Sequence, residues 1–111
     1  MATPDDVEQS LRTLAKMLED ASPDPSGIPD RTILCICPDL KMAFKAEMKQ
    51  ARLTGLVQVE TTEKADVRIT ARSDDLIALI GGRLAVGFAF LTGKVRIDAS
   101  PRDLMLLRQL F

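Results

Sequence analysis

Leu40-Lys41-Met42-Ala43-Phe44-Lys45-Ala46-Glu47-Met48-Lys49-Gln50-Ala51-Arg52-Leu53 is the stretch on which the fold turns. Two periods fit it. Leu40, Ala43, Phe44, Met48 and Ala51 recur at helical spacing, and Lys, Ala, Glu, Met and Gln are strong helix formers. Met42, Phe44, Ala46 and Met48 also alternate with Ala43, Lys45, Glu47 and Lys49, as in a half-buried strand. Propensity alone chooses helix, and the stretch by itself leaves both readings open. Its basic row of Lys41, Lys45, Lys49 and Arg52, interrupted by Glu47, reads as a solvated face rather than a headgroup site.

The flanks are plainer. Before the stretch, Thr32-Ile33-Leu34-Cys35-Ile36-Cys37 is a short apolar, β-branched run, as expected of a buried strand. On it both thiols point to one face. With no second pair and no histidine they cannot close a zinc site, and they read as small core hydrophobes rather than redox groups. After the stretch, Leu56–Glu60 and Val67–Ala71 read as strands joined through Thr61-Thr62-Glu63-Lys64. Ser73-Asp74-Asp75 reads as a helix cap, with Leu76, Ile77, Leu79 and Ile80 behind it and Gly81-Gly82 as the stop. Residues 84–91 are apolar on every side. Gly93 breaks them, Lys94–Ala99 alternates, and Ser100-Pro101-Arg102-Asp103 caps a final helix.

At the other end, Thr3-Pro4-Asp5-Asp6 is a helix start with a capping box. Val7, Leu11, Leu14, Ala15 and Leu18 form its apolar stripe. Ser22-Pro23-Asp24-Pro25-Ser26-Gly27-Ile28-Pro29 reads as a linker. The expected organisation is therefore an N-terminal helix and linker over 1–30 and a domain over 31–111. Residues 1–30 hold seven acidic against two basic residues, and the remainder holds 13 basic against 9 acidic. The acidic helix face is expected to be solvated, since surface ion pairs contribute little.

Composition excludes much chemistry. The 111 residues include no His, Trp or Tyr and only four Phe, and the net charge is -1. A Ser-His-Asp or Cys-His site is impossible, as is an imidazole metal ligand. Without a basic surplus or stacking aromatics, no nucleic-acid partner is expected. Neither a catalytic residue, a metal nor a cofactor is expected. The acidic start lacks a signal-peptide pattern, and no disulfide framework is visible, which suits a cytoplasmic protein. The 18 residues 76–93 touch the length of a membrane span, but Gly81-Gly82 and Arg83 interrupt them. Two short helices buried in a domain are expected, without stable membrane insertion. Gly87–Lys94 is not a phosphate loop, because five residues separate its glycines and Val95 stands where Ser or Thr would hold magnesium.

From residue 65 onward the chain resembles the sterol carrier protein 2 (SCP2) sterol-binding domain family. The matching pieces are Ala65-Asp66-Val67-Arg68-Ile69-Thr70, Ser73-Asp74-Asp75-Leu76 with Ala78-Leu79, and Gly82-Arg83-Leu84. Ala89-Phe90, Gly93-Lys94-Val95-Arg96-Ile97, Leu107 and Leu110-Phe111 follow in order. The chain departs from the family at Ala85-Val86-Gly87, where Asn-Pro is common, and it ends without a Ser-Lys-Leu address.

The resemblance implies an α+β fold: a curved, mostly antiparallel five-stranded sheet covered on one side by helices, with an apolar tunnel between them. It makes residues 41–49 a strand paired with 53–60. It implies lipid binding or transport without catalysis, the ligand being a fatty acyl chain, acyl-CoA or sterol. The expected tunnel walls are Leu76, Leu79, Ile80, Leu84, Phe88, Leu91, Leu104, Leu107 and Phe111. Lys94, Arg96 and Arg83 are candidates for a polar headgroup. The alternative is an interaction or dimerisation module with a filled core, in which 84–91 or 104–111 packs on a second copy.

Overall fold

The structure, a computed structural model, describes residues 2–21 and 30–110, with side chains through Met105. The expected linker at 22–29 lies outside the described residues.

The deciding stretch is a strand. Met42–Lys49 (β2) pairs antiparallel with Arg31–Cys37 (β1) on one side and Arg52–Val59 (β3) on the other. Burial overrides helix propensity here: Met42 and Phe44 enter the core from one face of β2. Gln50 and Ala51 turn the hairpin with φ of 51° and 63°, the left-handed pair that the twist of two strands requires. Neither is glycine.

Val67–Ala71 (β4) runs parallel to β1, and Val95–Asp98 (β5) runs antiparallel to β4. The strand order is β3-β2-β1-β4-β5. Residues 60–66 must therefore cross β2 and β1 to reach β4. Polar ties hold this crossing. Glu63 pairs with Lys45 at 3.3 Å, the Thr61 carbonyl accepts from Arg68, and Asp66 accepts from both the amide and hydroxyl of Thr32. Leu34, fully buried, lies between Lys45 and Arg68 in register.

The core lies on the opposite face of the sheet. Cys35, Cys37, Met42, Phe44, Ala71 and Val95 meet Val7 and Leu11 of Pro4–Ala21 (α1), Leu76 of Ser73–Ile80 (α2) and Ala89 of Val86–Leu91 (α3). Pro101–Leu110 (α4) ends the chain. This is the expected α+β architecture, one sheet with helices on one face. The apolar run 76–93 is split into α2 and α3, and no described helix is long and apolar enough to cross a membrane.

The helix ends show which local signals operate. Thr3 and Asp6 form the expected reciprocal box: the Asp6 amide donates to the Thr3 hydroxyl, and the Thr3 amide to the Asp6 carboxylate. At α2 the expectation needs correction. Ser73 is the first helical residue, not a local cap, and is fully buried. Its amide and hydroxyl both donate to Asp39, 34 positions away in the turn Pro38–Leu40. Burial raises the Asp39 carboxyl, but the Ser73 bonds outweigh it and hold the group below its ordinary 3.8.

Gly82 and Gly93, both at φ 77°, close α2 and α3. Arg83 N–H donates to the Ala78 carbonyl and Lys94 N–H to Ala89, six-to-one bonds that need a left-handed residue before them. At α4 the Ser100 hydroxyl caps the Asp103 amide, but the Asp103 carboxylate does not return to Ser100. Buried at 7% exposure, it takes Arg31 Nε at 3.1 Å on both oxygens.

Candidate functional site

A groove of about 490 Å³ opens between α1 and β3. Helical spacing places Leu11 and Ala15 on the α1 side of it, and Leu53 and Leu56 line the strand side. Leu11 also belongs to the core cluster, with Leu56 packed against it, so the groove floor is continuous with the core. Gly55 has no side chain to fill the space. Arg12 and Lys16, one helical turn apart, and Arg52 at the start of β3 add three cations to the lining, with Glu19 on the same wall. Arg12 lies 3.7 Å from Glu8, both well exposed. The described ion pairs leave Lys16 and Arg52 out. An apolar floor beside three cations suits an anionic amphiphile.

The nine residues expected to line a tunnel fall into four groups. Leu76 is in the core, and Leu79, Ile80 and Leu84 pack against it half-buried. Leu104 is half-buried on α4. Phe88 and Leu91 point outward, at 56% and 87% exposure. The side chains of Leu107 and Phe111 lie outside the described residues. The structure thus gathers four of the nine around one cluster and turns two into solvent. The headgroup candidates Arg83, Lys94 and Arg96 are exposed.

Sequence reasoning did not single out Arg12 and Lys16, and it read Arg52 as part of a solvated basic row. Arg12 and Lys16 are the only cations in residues 1–30 and sit four apart beside the apolar stripe, which is the signal that could have found them. The basic row on β2 is not a site: Lys45 pairs with Glu63, and Lys49 with Glu47 at 3.0 Å.

Both thiols lie in the core as expected. Burial, with Cys37 adding to it, pushes the Cys35 thiol up to about 12; burial and the Asp39 charge push Cys37 up to about 11. They are kept protonated at neutral pH.

The chain has an α+β fold with helices on one sheet face and an apolar groove beside α1. The SCP-2 sterol transfer family model matches residues 11–111, and the chain belongs to that family. Its fold is similar to Sterol Carrier Protein 2 Like 2 from Aedes aegypti, with 18% identity over 96% of each chain and a TM-score of 0.64. It is also similar to Sterol Carrier Protein-2 from Aedes aegypti in complex with palmitate, at 19% identity over 99% of this chain and 96% of that one, TM-score 0.60. A third likeness is to the sec-alkyl sulfatase PisA1, at 22% identity and TM-score 0.60. It covers 93% of this chain and 15% of that one, so the chain spans a small part of the sulfatase. A comparison with curated protein sequences gives no match.

Proposed function

We propose that the protein binds and carries an anionic amphiphile, such as a long-chain fatty acid or acyl derivative, without transforming it. The carrying observation is the groove between α1 and β3, with Leu11, Ala15, Leu53 and Leu56 for the chain and Arg12, Lys16 and Arg52 for the headgroup. Its volume of about 490 Å³ is within the range of small-molecule sites. Membership of a sterol transfer family and a fold shared with a palmitate-bound protein support the same reading. Leu76, Leu79, Ile80 and Leu84 back the groove floor through the cluster that holds Leu11. Binding without chemistry suits a chain with no imidazole and two buried, protonated thiols. Free thiols also suit a reducing compartment, the cytoplasm.

Titration with a fluorescent fatty acid, after native mass spectrometry of the purified protein for co-purifying lipid, tests this. Saturable binding is expected, and Ala15→Phe, which fills the groove, should weaken it at least tenfold. Lys16→Glu/Arg52→Glu should weaken a fatty acid but not an uncharged sterol. No saturable binding, or binding indifferent to Ala15→Phe, overturns the groove assignment.

A further inference from the structure

α3 and its flanks make a second surface with a different chemistry. Of its six residues only Ala89 is buried. Phe88, Phe90 and Leu91 are 56%, 52% and 87% exposed, so large apolar side chains stand out around the helix rather than along one hidden stripe. A helix apolar all round needs an apolar neighbour on its outer side. Along the chain, the charge between Asp75 and Asp98 has one sign. From residue 76 to residue 97 there is no carboxylate, while Arg83 precedes the helix and Lys94 and Arg96 follow it, all exposed. Gly82 and Gly93 reverse the chain on either side and keep both cations close to α3 in the chain.

We infer that α3, with Arg83 and Lys94, is a docking surface for an anionic lipid bilayer. Three exposed apolar side chains suit the acyl boundary, and the flanking cations suit acidic headgroups. Charge complementarity selects the bilayer over a second copy. Two copies meeting through α3 would bring like-charged Arg83 and Lys94 together, and the chain from 76 to 97 offers no carboxylate to separate them. It also selects α3 over α1, the other amphipathic element: α1 carries five carboxylates against two cations. The inference deepens the lipid-carrier reading and takes its purpose from it, since a carrier must meet the membrane it loads from. The two are measured separately.

Sedimentation of the full chain with phosphatidylcholine vesicles, with and without phosphatidylserine, tests it. Binding is expected only when phosphatidylserine is present, and it should fall as salt screens the cations. Phe88→Gln/Leu91→Gln should lower vesicle partitioning at least tenfold, in line with the roughly tenfold or more that burying one such side chain contributes. Arg83→Gln/Lys94→Gln should lower it several-fold and remove most of the salt dependence. Both variants change exposed positions, and unchanged thermal melting and fluorescent fatty-acid binding would show that fold and groove are intact. Absence of wild-type binding to anionic vesicles overturns the inference, as does binding that both variants retain. So does a wild-type dimer that Phe88→Gln/Leu91→Gln makes monomeric while no vesicle binding is seen, which would assign the surface to a second copy. Failure of fatty-acid binding with vesicle docking intact would overturn the groove and leave the docking surface standing.

Discussion

α1 and α3 cover the same face of one sheet, and they do so in opposite ways. α1 buries Val7 and Leu11 completely or nearly so and is tied at its start by its own capping box and by the Ala2 amide donating to Asp74. Four of its five acids are exposed. α3 buries only Ala89 and leaves its largest side chains outside. One helix spends its apolar surface on the core and the other keeps it available. In the proposed carrier those would be separable tasks: α1 lines the groove, and α3 is the surface inferred to meet a membrane.

The sharpest way to break this contrast is a pair of truncations. Leu11→Ala should cost about 2–5 kcal/mol in urea denaturation, because a buried leucine leaves a cavity. Leu91→Ala should stay within about 0.5 kcal/mol, as exposed positions usually do. Equal costs would mean that α3 is packed as tightly as α1. Next in size is Asp39→Ala. It strands the amide and hydroxyl of buried Ser73 at the start of α2, against which α1 packs, and should cost about 1–3 kcal/mol by the same measurement.

Acid should separate the regions as well. Asp6, through its hydrogen bonds from Thr3, and Asp39, where the Ser73 bonds outweigh burial, both lie below their ordinary 3.8 when folded. A depressed carboxyl stabilises above its unfolded value, and that contribution is lost as pH falls through the folded one. Stability should therefore be unaffected by these groups from neutral pH down to the ordinary carboxylate range, then decline below it. Amide NMR should show the starts of α1 and α2 loosening first, with the carboxylate-free α3 lagging. A small gain is expected at the hairpin beside the groove. Gln50→Gly relieves a left-handed residue and should raise stability by about 0.5–1 kcal/mol without changing fatty-acid affinity.

Much of the fold was legible because its signals are local. Thr3 and Asp6, the glycines at 82 and 93, and the Ser100 cap each act within a few residues. Cys35 and Cys37 lie in the core as strand alternation requires. Ser73 misled because a serine at a helix start normally caps its own helix, whereas here a distant aspartate does so. Phe88 and Leu91 are exposed, and the reason that apolarity did not foretell it is related. Apolarity predicts that a side chain avoids water, but not whether its own domain or another surface provides the shelter.

By itself, then, the sequence determined the alternation of strands, the caps and stops of the helices, the lack of imidazole chemistry and the resemblance over its second half. Both periods fit residues 42–49 locally, the resemblance made them a strand, and the tertiary structure supplies the physical reason, the burial of Met42 and Phe44. The tertiary structure alone brought Asp39 to Ser73 across 34 positions and Arg31 to Asp103 across 72. It alone laid α1 beside β3 to open a groove with Arg12, Lys16 and Arg52 in its lining. Period and propensity are properties of neighbours along the chain, whereas a groove between elements far apart in sequence exists only once strand order has set which of them meet.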